Sequence, residues 1–114
     1  MLDRVREALF STLGDQVEGA RVLDLFAGTG SLGLEALSRG ARDARFVERD
    51  RRALERLVDN VQTLDLEDRV RTTRGDALSP SNWSLGEAES GVRPDLVFMD
   101  PPYPLIRTRK GRAS

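Results

Sequence analysis

Apolar side chains recur along this chain with two different periods, and the periods alternate. In Asp3-Arg-Val-Arg-Glu-Ala-Leu-Phe10, Val5, Leu9 and Phe10 fall near one face of a helix, and Leu2 and Leu13 extend that face. Asp3 is placed to cap this helix and Gly14 to end it. Arg21-Val-Leu-Asp-Leu-Phe26 is a nearly continuous apolar run, the pattern of a strand buried on both faces. Ala27-Gly-Thr-Gly30 interrupts it, and Ser31 to Arg39 reads as a helix closed by Gly40. Ala44-Arg-Phe-Val-Glu48 is a second short strand. Asp50 then caps a helix in which Leu54, Leu57, Val58 and Val61 keep the spacing of a single buried face.

The second half is less regular. Arg69-Val-Arg-Thr-Thr73 alternates and suits an outer strand. Between Asp76 and Gly91, Pro80, serines and glycines surround a short amphipathic stretch at Trp83 and Leu85. Asp95-Leu-Val-Phe-Met99 is the most strand-like run of all, and Pro101-Pro102 stops it. The predicted order is a helix followed by β-α-β-α-β-α-β. Strands alternating with helices give an α/β fold, a parallel sheet with helices on both faces.

Composition narrows the chemistry. The 114 residues suffice for one domain, and with 39% apolar, 32% charged and 5% aromatic residues the core must be aliphatic. No apolar run is long enough to span a bilayer and no leader pattern opens the chain, so a cytoplasmic location is expected. There is no cysteine and no histidine, which removes disulfides, thiolate metal sites and the commonest general base. No metal is expected. Chemistry must run on carboxylates, backbone groups and a borrowed cofactor.

The formal net charge of −1 hides an uneven distribution. All 19 acidic side chains precede residue 101, whereas Arg107, Arg109, Lys110 and Arg112 give the last fourteen residues a charge of +4. Such a tail reads as a solvated, disordered end, with an RNA-phosphate contact as the sharper alternative.

Gly28-Thr-Gly-Ser-Leu-Gly33 fits G-x-G-x-x-G, a weak signal alone. Here it follows a predicted strand and opens a predicted helix, and an acid, Glu48, ends the next strand twenty residues after Gly28. A carboxylate there can accept both hydroxyls of a ribose, or simply be solvated. Asp24 separates the nucleotide folds, because an aspartate at the end of the first strand repels a pyrophosphate. It suits a cationic ligand such as S-adenosylmethionine, which carries a sulfonium and an α-amino group. A nicotinamide dehydrogenase is correspondingly disfavoured.

Asp100-Pro-Pro-Tyr103 ends the fourth strand. The paired prolines fix the backbone and hold the Pro101 carbonyl outward as an acceptor beside Asp100, while Tyr103 offers a face for a base. Two acceptors beside an aromatic match the exocyclic amine of a nucleobase; a simple turn that ends a strand is the other reading. Asp76, after the third strand, can accept from an adenine amino group or cap the following segment. Asp24, Glu48, Asp76 and Asp100 would all gather at the carboxyl ends of the strands.

These stretches together resemble the RsmD-type bacterial methyltransferases, which transfer methyl from S-adenosylmethionine to the N2 of a guanine in 16S ribosomal RNA. The resemblance rests on Asp3 to Phe10, Leu23 to Ala41, Phe46-Val-Glu48, Asn60, Gly75-Asp-Ala77 and Asp100 to Tyr103, and covers nearly all of residues 2–103. It implies a Rossmann-like class I methyltransferase sheet of which the first four strands are present. Asp24, Ala27, Gly28 and Gly30 would line the methionine end of the cofactor, Glu48 the ribose, and Asp76 and Ala77 the adenine. Asp100, Pro101, Pro102 and Tyr103 would hold the target base. The implied partner is 16S ribosomal RNA or a partly assembled small ribosomal subunit. Residues 1–103 then form the cofactor-binding half of a methyltransferase domain and residues 104–114 a basic tail. The family continues beyond D-P-P-Y through further strands, so the segment ending at Met99 is expected to be an exposed apolar edge prone to self-association. An adenine-N6 methyltransferase and a non-catalytic cofactor-binding remnant are the alternative readings.

Overall fold

The computed structural model describes residues 3–28, 30–79 and 93–99. Helix α1 spans Asp3–Leu13 and runs into a 3-10 turn at Gly14–Gln16. Then follow β1 (Arg21–Leu25), α2 (Ser31–Ser38), β2 (Asp43–Glu48) and α3 (Arg51–Thr63). A short 3-10 turn at Glu67–Arg69 leads into β3 (Val70–Arg74), and β4 is Leu96–Met99. These bounds sit within a residue or two of the sequence expectations, α1 included, which ends at Leu13 where Gly14 at φ 53 breaks it. The Asp50 cap is realised, its side chain accepting from Ala53 N at 2.9 Å. The amphipathic stretch at Trp83 and Leu85, the Asp100–Tyr103 motif and the basic tail lie outside the described residues.

The four strands form one parallel sheet in the order β3-β2-β1-β4. The chain moves outward from β1 to β3 and then returns to the far side of β1, so the strand order reverses between β1 and β4. In open α/β sheets ligands bind outside the carboxyl ends of the strands at such a reversal. Register is fixed at the opposite end. Arg21 and Asp43 are paired across β1 and β2, with guanidinium and carboxylate 2.9 Å apart. The Arg21 amide donates to the Asp95 carboxylate at 2.8 Å, which sets β4 against β1.

Alternation along β1 sends Val22 to one face and Leu23 and Leu25 to the other. The first face carries the main core. There Val22, Ala44, Phe46 and Phe98 meet Phe10 of α1, Leu32, Ala36 and Leu37 of α2, and Leu57 and Val61 of α3. Among the described residues aliphatic side chains and three phenylalanines fill it, so the core is mostly aliphatic but uses three of the chain's four phenylalanines. Phe10 and Phe98 pack with ring centres 5.7 Å apart, and the Arg39 guanidinium lies 4.9 Å above the Phe10 ring. Arg39 also bonds Glu35 at 2.8 Å and Glu7 at 3.2 Å, which ties α1 to α2. The Glu35 carboxylate, more than any other neighbour, holds the Arg39 guanidinium above its ordinary range against the opposing effect of desolvation. On the second face Leu23, Leu25 and Val47 cluster with Ala77 and the partly buried Phe26, and Val97 and Met99 stand more than half exposed.

One side chain holds the far edge in place. The Arg69 guanidinium donates to the carbonyls of Leu37 and Ala41, and its Nε to that of Arg42, so it caps the carboxyl end of α2 from the start of β3. Hydrogen bonds from a charged donor are worth about 1.5–3 kcal/mol each when one partner is lost. Arg69→Ala is therefore expected to lower stability by roughly 2–3 kcal/mol in urea unfolding, with Arg69→Lys between it and the parent. Equal midpoints for all three would remove this role.

Candidate active site

The turn from β1 into α2 is built from left-handed residues at every second position. Phe26, Gly28 and Gly30 have φ of 58, 59 and 90. Two of the three are glycine, for which this conformation is inexpensive. At Gly30 a second constraint acts, because an added Cβ would lie 2.3 Å from Leu57 Cδ1, and Leu57 is fully buried. Gly33 is fixed for a similar reason, an added Cβ falling 2.3 Å from the Phe46 ring. The third glycine of G-x-G-x-x-G thus lets α2 sit close on β2.

Each sequence-expected residue within the described segments has a definite place. Asp24 is buried, 2% exposed, and its Oδ2 accepts from Gly33 N at 3.0 Å, near the amino end of α2. Ala27 is buried and its amide donates to the Val47 carbonyl at 3.0 Å. The Gly28 amide donates to Glu48 Oε1 at 2.6 Å, and the other oxygen of Glu48 accepts from Asp50 N at 2.7 Å. Asp76 turns its carboxylate onto Leu78 N at 2.9 Å and so closes the turn that follows β3. Ala77 is buried beneath the same turn. Asp100, Pro101, Pro102 and Tyr103 lie outside the described residues.

A cleft of about 450 Å³ opens at the carboxyl ends of β2 and β3. Glu48, Asp76 and Ala77 line it together, as the sequence motifs implied. Asp24, Ala27, Gly28 and Gly30 do not line it, although Gly28 is bonded to Glu48 at its edge. Phe26, Val47, Ala77 and Leu78 supply apolar wall, and Arg49, Arg51 and Arg74 add positive charge. The volume is in the range of small-ligand sites, about 300–1,000 Å³. An apolar wall with carboxylates at its margin suits a nucleoside, with a planar base against carbon and hydroxyl or amino groups toward oxygen. Among the described residues no group of histidine, cysteine, aspartate and glutamate could hold a metal ion, and no helix is long and apolar enough to cross a membrane.

Two features escape the sequence reading. By pattern Phe26 is only the last residue of a strand, yet it adopts a left-handed conformation that costs a non-glycine residue about 1–2 kcal/mol and lines the cleft. Its position two residues before Gly28, in step with the two glycines, was the available signal. The arginine rim is the other, although Arg49 directly follows Glu48 and Arg74 lies two residues before Asp76.

The glycine geometry yields an ordering of stabilities. Gly28→Ala meets open space and suffers only the left-handed penalty, about 1–2 kcal/mol. Gly30→Ala adds the collision with Leu57, about 1–3 kcal/mol more. Chemical denaturation should rank the parent above Gly28→Ala and that above Gly30→Ala; the reverse order of the two variants would contradict this turn geometry.

Comparison with known proteins agrees with this geometry. The family "Conserved hypothetical protein 95" matches residues 1–110. Ribosomal RNA small subunit methyltransferase D of Escherichia coli (strain K12) is 42% identical over 101 residues, which is 89% of this chain and 48% of that protein. The chain thus spans about half the length of the curated relatives it matches. A hypothetical protein of Thermus thermophilus superposes with a TM-score of 0.73 at 34% identity, over 90% of this chain and 57% of that one. An RNA methyltransferase from Salinibacter ruber, solved in complex with S-adenosyl-L-homocysteine, shares the fold with a TM-score of 0.62 at 18% identity, over 69% and 51% of the two chains. The sheet is that of a Rossmann-like class I methyltransferase, and the chain belongs to the conserved hypothetical protein 95 family, that of ribosomal RNA small subunit methyltransferase D.

Proposed function

We propose that this chain carries the S-adenosylmethionine-binding half of an enzyme that methylates the exocyclic N2 of a guanine in 16S ribosomal RNA. The observation that carries the reading is the meeting of Glu48, Asp76 and Ala77 in one cleft beside the glycine turn, at the end of the sheet where such ligands bind. A 42% identity to a ribosomal RNA methyltransferase supports the substrate class.

The residues fit the cofactor. A carboxylate offers about four acceptor sites, and the amides of Gly28 and Asp50 engage one on each oxygen of Glu48, leaving sites for ribose hydroxyls. Asp76, at the margin of the cleft, is a carboxylate of the kind that accepts from an adenine amino group. Phe26, Ala77 and Leu78 provide the apolar wall for the base. When bound, S-adenosylmethionine supplies an electrophilic methyl group on its sulfonium. Asp24 serves here as the anchor of α2, and its charge near the glycine turn favours a cationic ligand over a pyrophosphate.

By the sequence reading, Asp100 and the Pro101 carbonyl accept hydrogen bonds from the amine, and Pro102 and Tyr103 frame its base. An exocyclic nitrogen has its lone pair delocalised into the ring, and such bonds favour its pyramidal form. The proton released from the methylated nitrogen passes to water or to Asp100, so no histidine is required. The residues' work is alignment. The nucleotide must be unstacked to reach them, which fits a single-stranded or flipped guanine.

Isothermal titration with S-adenosylmethionine should show one site, lost in Gly28→Trp. Assay on 16S RNA and on partly assembled small subunits should yield N2-methylguanosine. N6-methyladenosine without it would favour an adenine enzyme, and binding without any methyl transfer would mark a cofactor-binding remnant. The exposed β4 residues Val97 and Met99 support self-association in the same reading; a clean monomer in size-exclusion chromatography at tens of micromolar would count against that part.

A further inference from the structure

Glu48 does more in this fold than await a ribose. Its register partner on β3 is Arg74, a guanidinium on the neighbouring strand and the same side of the sheet. Yet no ion pair forms between them; among the described residues both oxygens of Glu48 take backbone amides instead, Gly28 N at 2.6 Å and Asp50 N at 2.7 Å. One of these amides belongs to the turn after β1 and the other to the turn after β2. The carboxylate therefore bridges the two turns that flank the cleft.

The bridge acts where the backbone most needs holding. Gly28 lies in the left-handed region, and nothing within 4 Å of a Cβ added there limits it, so packing does not select its conformation. The neighbouring amide, Ala27 N, is already bonded to the Val47 carbonyl at 3.0 Å. Together the two bonds lay successive amides of the glycine turn onto the end of β2. Short hydrogen bonds to an ionised acceptor are stronger than those between neutral groups. A turn held in this way before ligand arrives loses less freedom on binding.

We infer that Glu48 is a positioning residue, a latch that orders the glycine turn through Gly28 N, and that its effect on cofactor affinity exceeds its contact with ribose hydroxyls. The inference rests on the cofactor reading above for its affinity arm only. In Glu48→Gln the carboxamide has a single acceptor oxygen, so one of the two amides faces an NH₂ donor and the bridge opens while side-chain size is kept.

Two measurements test it. The first is binding of S-adenosylhomocysteine and of its 2′,3′-dideoxy analogue to the parent chain and to Glu48→Gln. The dideoxy analogue has no hydroxyls for residue 48 to accept from. A latch predicts that Glu48→Gln still weakens it by roughly tenfold, as for a lost charge-assisted hydrogen bond. Equal affinity of the two proteins for the analogue would confine Glu48 to ribose recognition and overturn the inference. The second is amide hydrogen exchange of Gly28 in the ligand-free chain, with Leu34 N, bonded to the Gly30 carbonyl at 2.8 Å, as the internal reference. Gly28 should be protected in the parent and exchange at least tenfold faster in Glu48→Ala, which leaves neither amide an acceptor, while Leu34 is unchanged. An unprotected Gly28 in the parent, or an unmoved rate in the variant, overturns the latch. If the parent binds neither ligand, the cofactor reading fails by itself, and the exchange rates alone decide the latch.

Discussion

The carboxyl end of this sheet depends on carboxylates bonded to the backbone. Asp24, the one buried charged residue among those described, takes the Gly33 amide, and Glu48 takes those of Gly28 and Asp50. A buried charge left without a partner is costly, so each of these contacts holds an amide in one place. Between them, Asp24 and Glu48 fix the segment from the end of β1 to the first turn of α2 at both ends.

Much of this was legible in the sequence, and for identifiable reasons. Strand and helix positions followed from period, and the Asp50 cap and the breaks at Gly14 and Gly40 followed from residue chemistry that acts within a few bonds. The convergence of Glu48 and Asp76 was legible because parallel strands bring their carboxyl ends to one edge whatever lies between. Asp24 reads in the sequence as a partner for a cationic ligand, and that reading could not show that it also accepts from the Gly33 amide nine residues on. Residue type gives charge, and only the packed backbone says which donor is nearest. Phe26 was hard to read in a similar sense, since non-glycine residues rarely adopt a left-handed conformation and its only local signal is its spacing from Gly28 and Gly30.

The arginines show the same division. Arg69 and Arg74 stand at either end of β3 and are indistinguishable by composition. One turns inward to the carbonyls of Leu37 in α2 and of Ala41 and Arg42 before β2, the other lines the cleft. Their different duties follow from which end of a parallel sheet they occupy. The amino ends of the strands are structural, held by Arg21, Asp43 and Asp95, while the carboxyl ends carry the cleft.

The strand order also has a kinetic side. The ion pair that aligns β1 with β2 closes a loop between residues 22 apart, whereas the bond from Arg21 to Asp95 that seats β4 spans 74. The logarithmic growth of closure entropy makes the longer loop about 1 kcal/mol more expensive to form. Strands β1 to β3, joined through short crossovers, therefore constitute the early-forming unit, and β4 docks late, when Phe98 reaches Phe10. The cleft at the ends of β2 and β3 thus belongs to the part of the sheet whose closure is least costly.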